Sequence, residues 1–127
     1  MIADSSVWID FARDLDTPQV AALERTITDR TAMTTDIVRL EVLSGQTQVE
    51  RLSAALDGCE DVMQLPRIDV EDAAYIYRVC RRAGESIRSL NDCLIAAIAI
   101  RNDVPVLHRD RDYEAIARHF PLRLVAG

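Results

Sequence analysis

Three aspartates of this sequence stand where carboxylates can do chemistry. Asp4 directly follows the apolar residues 1–3, and Asp110 and Asp112 follow the apolar residues 104–107. Both apolar stretches are strand candidates. Because the carboxyl ends of parallel strands meet at one edge of a sheet, we expect these three side chains to converge there. Each also has a structural interpretation, since Asp4 and Asp110 can cap the helices that follow and Asp112 can face a helix dipole.

Two further acids lie on predicted helices. Glu41 is in mid-helix, four residues after Ile37 and three after Val38, which places it beside an apolar face. It either reaches water at the rim of that face or is buried with a cation, because an unpaired buried carboxylate is costly. Asp92 lies in the first turn of the most apolar helical segment, where it can form a capping box with Ser89 or join the other acids.

Taken together, the five acids predict a divalent-metal site. Carboxylates gathered in one pocket repel each other and cannot all stay ionised without cations. A set of oxygen donors with no His or Cys beside it is typical of Mg²⁺ or Mn²⁺.

The elements that would position these acids alternate along the chain. Strands are predicted at residues 1–3, 31–34, 62–65, 104–107 and 122–125, and helices at residues 7–13, 17–30, 36–44, 49–56, 69–83, 89–101 and 110–119. We expect the helix that begins at Asp69 to open with a capping box between Asp69 and Asp72. This order is typical of an α/β protein with a parallel sheet and helices on both faces.

The composition excludes several classes of protein. The 127 residues suffice for one domain over residues 1–127, and the hydrophobic fraction of 49% excludes a disordered chain. The longest apolar run, residues 93–100, is too short for a membrane span. No signal-peptide pattern opens the sequence, so we expect a cytoplasmic protein. The three cysteines, Cys59, Cys80 and Cys93, lack metal-clip spacing, so neither a disulfide framework nor a cysteine-bound zinc is expected.

The charge balance argues against binding nucleic acid by phosphate neutralisation alone. Fifteen basic and 21 acidic residues give a net charge of −6, whereas proteins that bind in this way are usually basic. A protein of this charge that handles nucleic acid needs metal ions or a local arginine patch. Every basic residue is an arginine, which excludes chemistry that requires a lysine.

Four segments carry motifs that occur in a fixed order. Residues 1–10 read MIADSSVWID, residues 34–45 read TTDIVRLEVLSG, residues 91–100 read NDCLIAAIAI and residues 106–116 read VLHRDRDYEAI. The ordered set resembles the PIN-domain ribonucleases, specifically the VapC toxins of bacterial toxin–antitoxin pairs, and the resemblance covers the whole chain. It implies an α/β, PIN-like three-layer fold with a central, mostly parallel five-stranded sheet between helices.

The resemblance also implies a role for each acid. The catalytic acids it implies are Asp4, Glu41, Asp92 and Asp110. The ligands it implies for Mg²⁺ or Mn²⁺ are Asp4, Asp92, Asp110 and Asp112. Either Asp110 or Asp112 can be the nearer of the two to the metal, and we favour Asp110. Ser6 is the supporting hydroxyl near Asp4.

The activity that the resemblance implies is that of an endoribonuclease toxin. A water activated by the carboxylate-bound metal would hydrolyse RNA, leaving a 5′-phosphate and a 3′-hydroxyl. A VapB-type antitoxin would inhibit the enzyme, and a basic side chain of that partner could displace the metal. We expect a homodimer and a toxin–antitoxin hetero-oligomer.

Arginines and apolar side chains are the candidates for contacts with these partners. The candidate RNA-binding residues are Arg88, Arg109 and Arg111, with Arg81 and Arg82 as further possibilities. On the early helices, Trp8, Phe11 and Leu52 either bind a partner or pack in the core.

Four other classes of protein are alternatives to this interpretation. A non-catalytic PIN-like module that binds RNA or protein is disfavoured because all the acid positions are retained. A phosphotransfer receiver needs a lysine and a pair of acids after the first strand, where this chain has a single one. A haloacid-dehalogenase-type phosphohydrolase needs Asp-x-Asp where this chain has Asp4-Ser-Ser6. The fourth alternative is an α/β interaction domain without chemistry.

Overall fold

Short strands and longer helices alternate in the computed structural model, which describes residues 1–125. The strands are β1 (Ile2–Ala3), β2 (Met33–Thr34), β3 (Glu60–Asp61) and β4 (Val106–Leu107). The helices are α1 (Ser5–Ala12), α2 (Pro18–Asp29), α3 (Asp36–Leu43), α4 (Val49–Asp57), α5 (Pro66–Arg82), α6 (Leu90–Asn102) and α7 (Arg111–Ala117).

All strand pairs in the sheet are parallel. The strand order is β3-β2-β1-β4, and Ile2 of β1 lies opposite both Met33 of β2 and Val106 of β4. The direction of winding therefore reverses at β1. In sheets of this kind a crevice opens beyond the carboxyl ends of the strands at the reversal point. The predicted α/β class with a parallel sheet is confirmed, and the ends of β1 and β4 are where a site is expected.

The prediction of five strands is wrong for residues 1–125, which form four. The segment predicted at residues 122–125 contributes one isolated parallel bridge, between Leu124 and Val106. Its backbone runs beside β4, because Val106 N–H donates to Arg123 O at 2.9 Å and Val125 N–H donates to Val106 O at 2.9 Å. A single residue pair in register is too little for a strand.

The third strand and the fifth helix begin earlier than the sequence pattern predicts. The strand lies at Glu60–Asp61 and not at residues 62–65. A strand is defined by its backbone pairing, here with β2, and the burial of its side chains does not determine where it begins. Helix α5 begins at Pro66, a residue that prefers the first helical position. Asp69 is therefore inside the helix, and the predicted capping box with Asp72 is wrong. The buried Asp69 carboxylate accepts the Leu65 N–H at 2.6 Å instead.

Helix α6 is the central helix of the fold. It packs against α3, α5 and α7, and most of its side chains are buried, including Cys93, Ile95 and Ile98. A helix that is apolar on nearly all sides belongs in such a position. Within residues 1–125, neither α6 nor any other helix is long and apolar enough to cross a membrane.

Core packing accounts for the apolar residues of the early helices. Trp8 is 0% exposed and Leu52 is 3% exposed. Phe11 is half-buried, with its ring edge-on to that of Trp8 at a centroid distance of 5.9 Å. The interpretation of Trp8 and Leu52 as exposed residues that bind a partner is therefore wrong, and core packing, the other interpretation, is correct.

Candidate metal centre

Four aspartates converge at the carboxyl ends of β1 and β4. Asp4 follows β1, Asp110 and Asp112 follow β4, and Asp92 reaches the same place from the first turn of α6. Carboxylate oxygens of Asp92, Asp110 and Asp112 lie within 4.8 Å of one another. Asp4 joins them through the Tyr113 hydroxyl, which is 2.6 Å from Asp4 Oδ1 and 3.3 Å from Asp92 Oδ1.

Asp4 caps a helix and faces the cluster at the same time. As the N-cap of α1, its Oδ2 accepts hydrogen bonds from the Ser6 N–H at 3.1 Å and the Ser6 hydroxyl at 2.6 Å. Its Oδ1 accepts the bond from Tyr113. The structural and chemical interpretations of Asp4 are therefore compatible, and Ser6 lies where a supporting hydroxyl is expected.

Asp110 and Asp112 accept hydrogen bonds from different backbone groups. Asp110 is the N-cap of α7, and its Oδ1 accepts the Asp112 N–H at 3.0 Å. Asp112 is buried, and its Oδ2 accepts the backbone N–H groups of Arg88 and Ser89 at 3.0 and 3.1 Å. Asp112 thus ties the loop before α6 to α7. Which of the two is nearer a bound metal stays a prediction.

Glu41 reaches the edge of the cluster from α3. It is half-buried, and its Oε2 accepts a weak hydrogen bond from Asn91 Nδ2 at 3.4 Å. Burial raises the pKa of Glu41, the hydrogen bond from Asn91 opposes this, and the charge of Asp4 raises the pKa further. Glu41 is therefore a carboxyl group that gains a proton more readily than an exposed glutamate.

Burial and the neighbouring acids make Asp92 hard to ionise. Burial, followed by the charge of Asp4 and the proximity of Asp112 and Asp110, raises the pKa of Asp92 to about 8. Burial and the same negative charges raise the pKa of the Tyr113 hydroxyl well above its ordinary value. Without a cation, the cluster therefore holds a proton on Asp92 at neutral pH.

The oxygen atoms left without partners fit a cation. Among residues 1–125, the buried carboxylate oxygens without a hydrogen bond are Asp92 Oδ2, Asp112 Oδ1 and Glu41 Oε1. All three belong to this cluster. A buried oxygen without a donor is costly, and a divalent cation would satisfy several of them at once. The donors are carboxylates, which Mg²⁺ and Mn²⁺ prefer. The residues therefore fit such an ion.

The raised pKa of Asp92 predicts an unusual pH dependence of stability. Below about pH 3.9 the side chain is protonated in both the folded and the unfolded state. Between that pH and about 8 the folded state keeps a proton that the unfolded state releases, so stability falls as pH rises. In EDTA, urea unfolding should give a lower free energy of unfolding at pH 8 than at pH 5.

Two comparisons isolate the effect of this one carboxyl. The Asp92→Asn variant should lose the part of the slope that Asp92 causes. Mg²⁺ should stabilise the wild type more at pH 8 than at pH 5, because the cation binds the ionised form. A wild-type slope equal to that of the variant would contradict the assignment.

The candidate RNA-binding arginines differ in their exposure and in their partners. Arg88 and Arg111 are exposed. Arg109 is half-exposed and donates from Nε to the buried Asp10 carboxylate at 2.6 Å. A cavity of about 640 Å³ beside the cluster is lined by Gln19, His108, Arg109, Asp110, Arg111, Glu114, Leu124 and Val125. Arg81 and Arg82 are exposed in the last turn of α5.

Sequence reasoning missed three residues of this region. Tyr113 had a signal, because a tyrosine inside an apolar helical pattern needs a hydrogen-bond partner for its hydroxyl. Asn91 and Asp10 had none, since their partners Glu41 and Arg109 are 50 and 99 residues away in the sequence. Such pairs depend on the tertiary fold.

Comparisons with known proteins place the chain in a family. The PIN-domain model matches residues 1–119. A VapC ribonuclease of Mycobacterium bovis and Ribonuclease VapC11 of Mycobacterium tuberculosis are each 39% identical to the chain over 128 residues. Each alignment covers 93% of this chain and 92% of the relative.

Two solved structures share the fold. One is VapBC2 from Rickettsia felis bound to a DNA fragment from its promoter, with a TM-score of 0.65 and 16% identity over 98% of this chain and 96% of that chain. The other is Mycobacterium tuberculosis VapC20, a sarcin–ricin loop cleaving toxin, with a TM-score of 0.58 and 17% identity over 94% and 95%. Identities this low speak for the fold alone, whereas the family follows from the domain match and the closer relatives. The chain belongs to the PIN-domain family and, within it, to the proteins named VapC.

Proposed function

We propose that this protein is an endoribonuclease toxin that cleaves RNA with the help of Mg²⁺ or Mn²⁺ and is inhibited by a cognate VapB-type antitoxin. The observation that carries the metal dependence is the aspartate cluster with its unpartnered buried oxygens. The substrate class is supported by the relatives at 39% identity, which are named ribonucleases.

In this proposal the acids have two different roles in hydrolysis. Asp92, Asp110, Asp112 and Asp4 would hold the cation. A divalent cation held there would stabilise the charge that develops on the phosphodiester and activate a water for attack. Glu41 would be suited to accept a proton there, because burial raises its pKa and its Oε1 makes no hydrogen bond among the described residues.

Arginines beside the cluster would bind the RNA strand. Arg109 and Arg111 line the cavity that Asp110 also lines, and Arg88 lies in the loop whose backbone binds Asp112. Since the whole chain carries a net charge of −6, the RNA would be held at this local patch and by the cation rather than by a generally basic surface. Recognition by the shape of an unpaired loop suits such a restricted patch.

The proposal includes partners and location. A solved structure with the same fold is VapBC2 from Rickettsia felis. For this chain we propose an antitoxin partner, a basic side chain of which enters the acidic cleft and displaces the cation. A homodimer, a single domain over residues 1–127 and a cytoplasmic location, where RNA is present, complete the proposal.

Cleavage of end-labelled total RNA by antitoxin-free protein tests the function. We expect cutting with Mn²⁺ or Mg²⁺, products with a 5′-phosphate and a 3′-hydroxyl, and no cutting in EDTA. Equal cutting in EDTA would contradict the metal dependence. No cutting by folded protein with either ion would favour the non-catalytic module.

A further inference from the structure

Tyr113 is the residue of this region whose role the acids alone do not explain. It lies on α7, is fully buried and packs near the His108 ring at a centroid distance of 5.2 Å. A phenylalanine would serve the packing equally well. The hydroxyl instead lies between two carboxylates, 2.6 Å from Asp4 Oδ1 and 3.3 Å from Asp92 Oδ1.

One hydroxyl oxygen thus connects two carboxyl groups. Asp4 and Asp92 come from different elements, since Asp4 follows β1 and Asp92 lies in α6. The hydroxyl has one proton, and the shorter distance shows that it donates to Asp4. Without this oxygen, no hydrogen bond among the described residues would link the two carboxyl groups.

The hydrogen bonds of Asp4 show which of its oxygens Tyr113 affects. Oδ2 already accepts two bonds from Ser6, which is the ordinary capacity of a carboxylate oxygen. Oδ1 accepts one bond, from Tyr113. The oxygen with acceptor capacity left for a cation is therefore the same oxygen that Tyr113 orients.

We propose that Tyr113 is a positioning residue of the metal centre, whose buried hydroxyl holds the Asp4 and Asp92 carboxylates at a fixed separation so that the cation meets a preformed site. This inference rests on the proposed metal-dependent function. Without the hydroxyl, the two carboxyl groups lose their common hydrogen-bond partner, and binding a cation must first fix their separation. Hydrogen-bonding partners of metal ligands commonly change metal affinity by about 10- to 100-fold when they are removed.

Tyr113→Phe tests the proposal by removing only the hydroxyl. Calorimetric titration of the antitoxin-free protein with Mn²⁺ should give a Kd about 10-fold higher for the variant than for the wild type. Tyr77→Phe is the matched control, because the Tyr77 hydroxyl is on α5 and accepts a bond from Arg81. The control should bind Mn²⁺ like the wild type. At saturating Mn²⁺ the KM for RNA should be unchanged in both variants.

The outcomes separate this proposal from the proposed function. A Tyr113→Phe variant that binds Mn²⁺ within twofold of the wild type overturns the role of Tyr113, whether or not RNA is cut. A wild type that binds Mn²⁺ more tightly than the variant but cuts no RNA supports Tyr113 and contradicts the nuclease. A wild type that binds no Mn²⁺ overturns the positioning role. If that protein still cuts RNA in EDTA, it is a nuclease that does not need the metal; if it cuts no RNA, the proposed function is contradicted as well.

A measurement on the wild type covers the case in which the variant does not fold. Carbon-13 labelling of the tyrosine Cζ gives three signals, from Tyr75, Tyr77 and Tyr113, assigned with Tyr75→Phe and Tyr77→Phe. We expect Mg²⁺ to shift the Tyr113 signal and to leave the other two in place. A Tyr113 signal that stays constant up to saturating Mg²⁺ would overturn the proposal.

Discussion

Replacing Asp92 by asparagine should reduce metal-dependent RNA cleavage by about 10³-fold or more. Asp92 is the acid that connects the cluster, because it lies within 4.8 Å of Asp110 and Asp112 and shares the Tyr113 hydroxyl with Asp4. Asparagine keeps the size of the side chain but lacks the negative charge that a cation requires. Rates on end-labelled RNA at saturating Mn²⁺ measure the loss.

The same substitution should make the metal-free protein more stable. The burial and repulsion that raise the pKa of Asp92 to about 8 also oppose folding at pH 7. Their removal should raise the free energy of unfolding by about 1–2 kcal/mol, a figure reduced for solvent screening at the open edge of the sheet. Urea unfolding in EDTA measures the change.

Asp57→Asn is the matched control for both effects. Asp57 ends α4 and pairs with Arg39 at 3.0 Å, with 68% of its side chain exposed. It should keep full activity, and its stability should change by less than about 0.5 kcal/mol. Loss of stability in Asp92→Asn, with activity retained, would show that Asp92 is a helix cap and that the site lies elsewhere.

The sequence was sufficient to predict where the aspartates meet. Asp4 and Asp110 follow short apolar stretches, and the parallel arrangement of strands brings the residues after such stretches to one edge. The structure has β1 and β4 side by side, with Ala3 opposite Leu107. The local pattern and a general rule of sheet topology therefore placed these two acids without knowledge of any side-chain contact.

The sequence was not sufficient to predict the bounds of the edge strands, because backbone pairing with a neighbouring strand determines them. The pattern of residues 62–65 suggested a strand, yet the ladder forms at the exposed Glu60–Asp61, which forms backbone hydrogen bonds with β2. At the other edge, residues 122–125 have a strand-like pattern but meet β4 at one residue pair. At both edges the neighbouring strand determines how many residues pair, and the residue types of the edge segment do not indicate that number.

Asp69 shows how a local motif can mislead. A capping box is a plausible interpretation of an acidic residue before a helical pattern, but Pro66 starts α5 one turn earlier. Asp69 is then directed inwards, where it is 0% exposed, and Arg101 of α6 pairs with both of its oxygens at 2.8 and 2.9 Å. The partner is 32 residues away in the sequence, so the motif alone gave no sign of the pair.

Breaking this buried pair should cause a large loss of stability. Arg101→Met keeps much of the side-chain length and leaves the Asp69 carboxylate buried without its cation. The variant also loses the bond that Arg101 donates to Met63 O at 2.6 Å, which ties the segment after β3 to α6. We expect the free energy of unfolding to fall by about 3 kcal/mol, the lower end of the usual range, because Arg101 is 25% exposed. Urea unfolding at pH 7 measures the loss.

Arg39→Met separates the effect of burial from the loss of an arginine. The Arg39 side chain is 26% exposed, much like that of Arg101, but its partner Asp57 is 68% exposed, so the loss should be at most about 1 kcal/mol. Arg101 and Asp92 lie near opposite ends of α6, so the Kd for Mn²⁺ of folded Arg101→Met should equal that of the wild type. Equal losses in the two variants would mean that the Asp69–Arg101 pair stabilises no more than a surface ion pair. A weakened metal site would mean that this pair fixes α6 as a rigid body, and with it the position of Asp92.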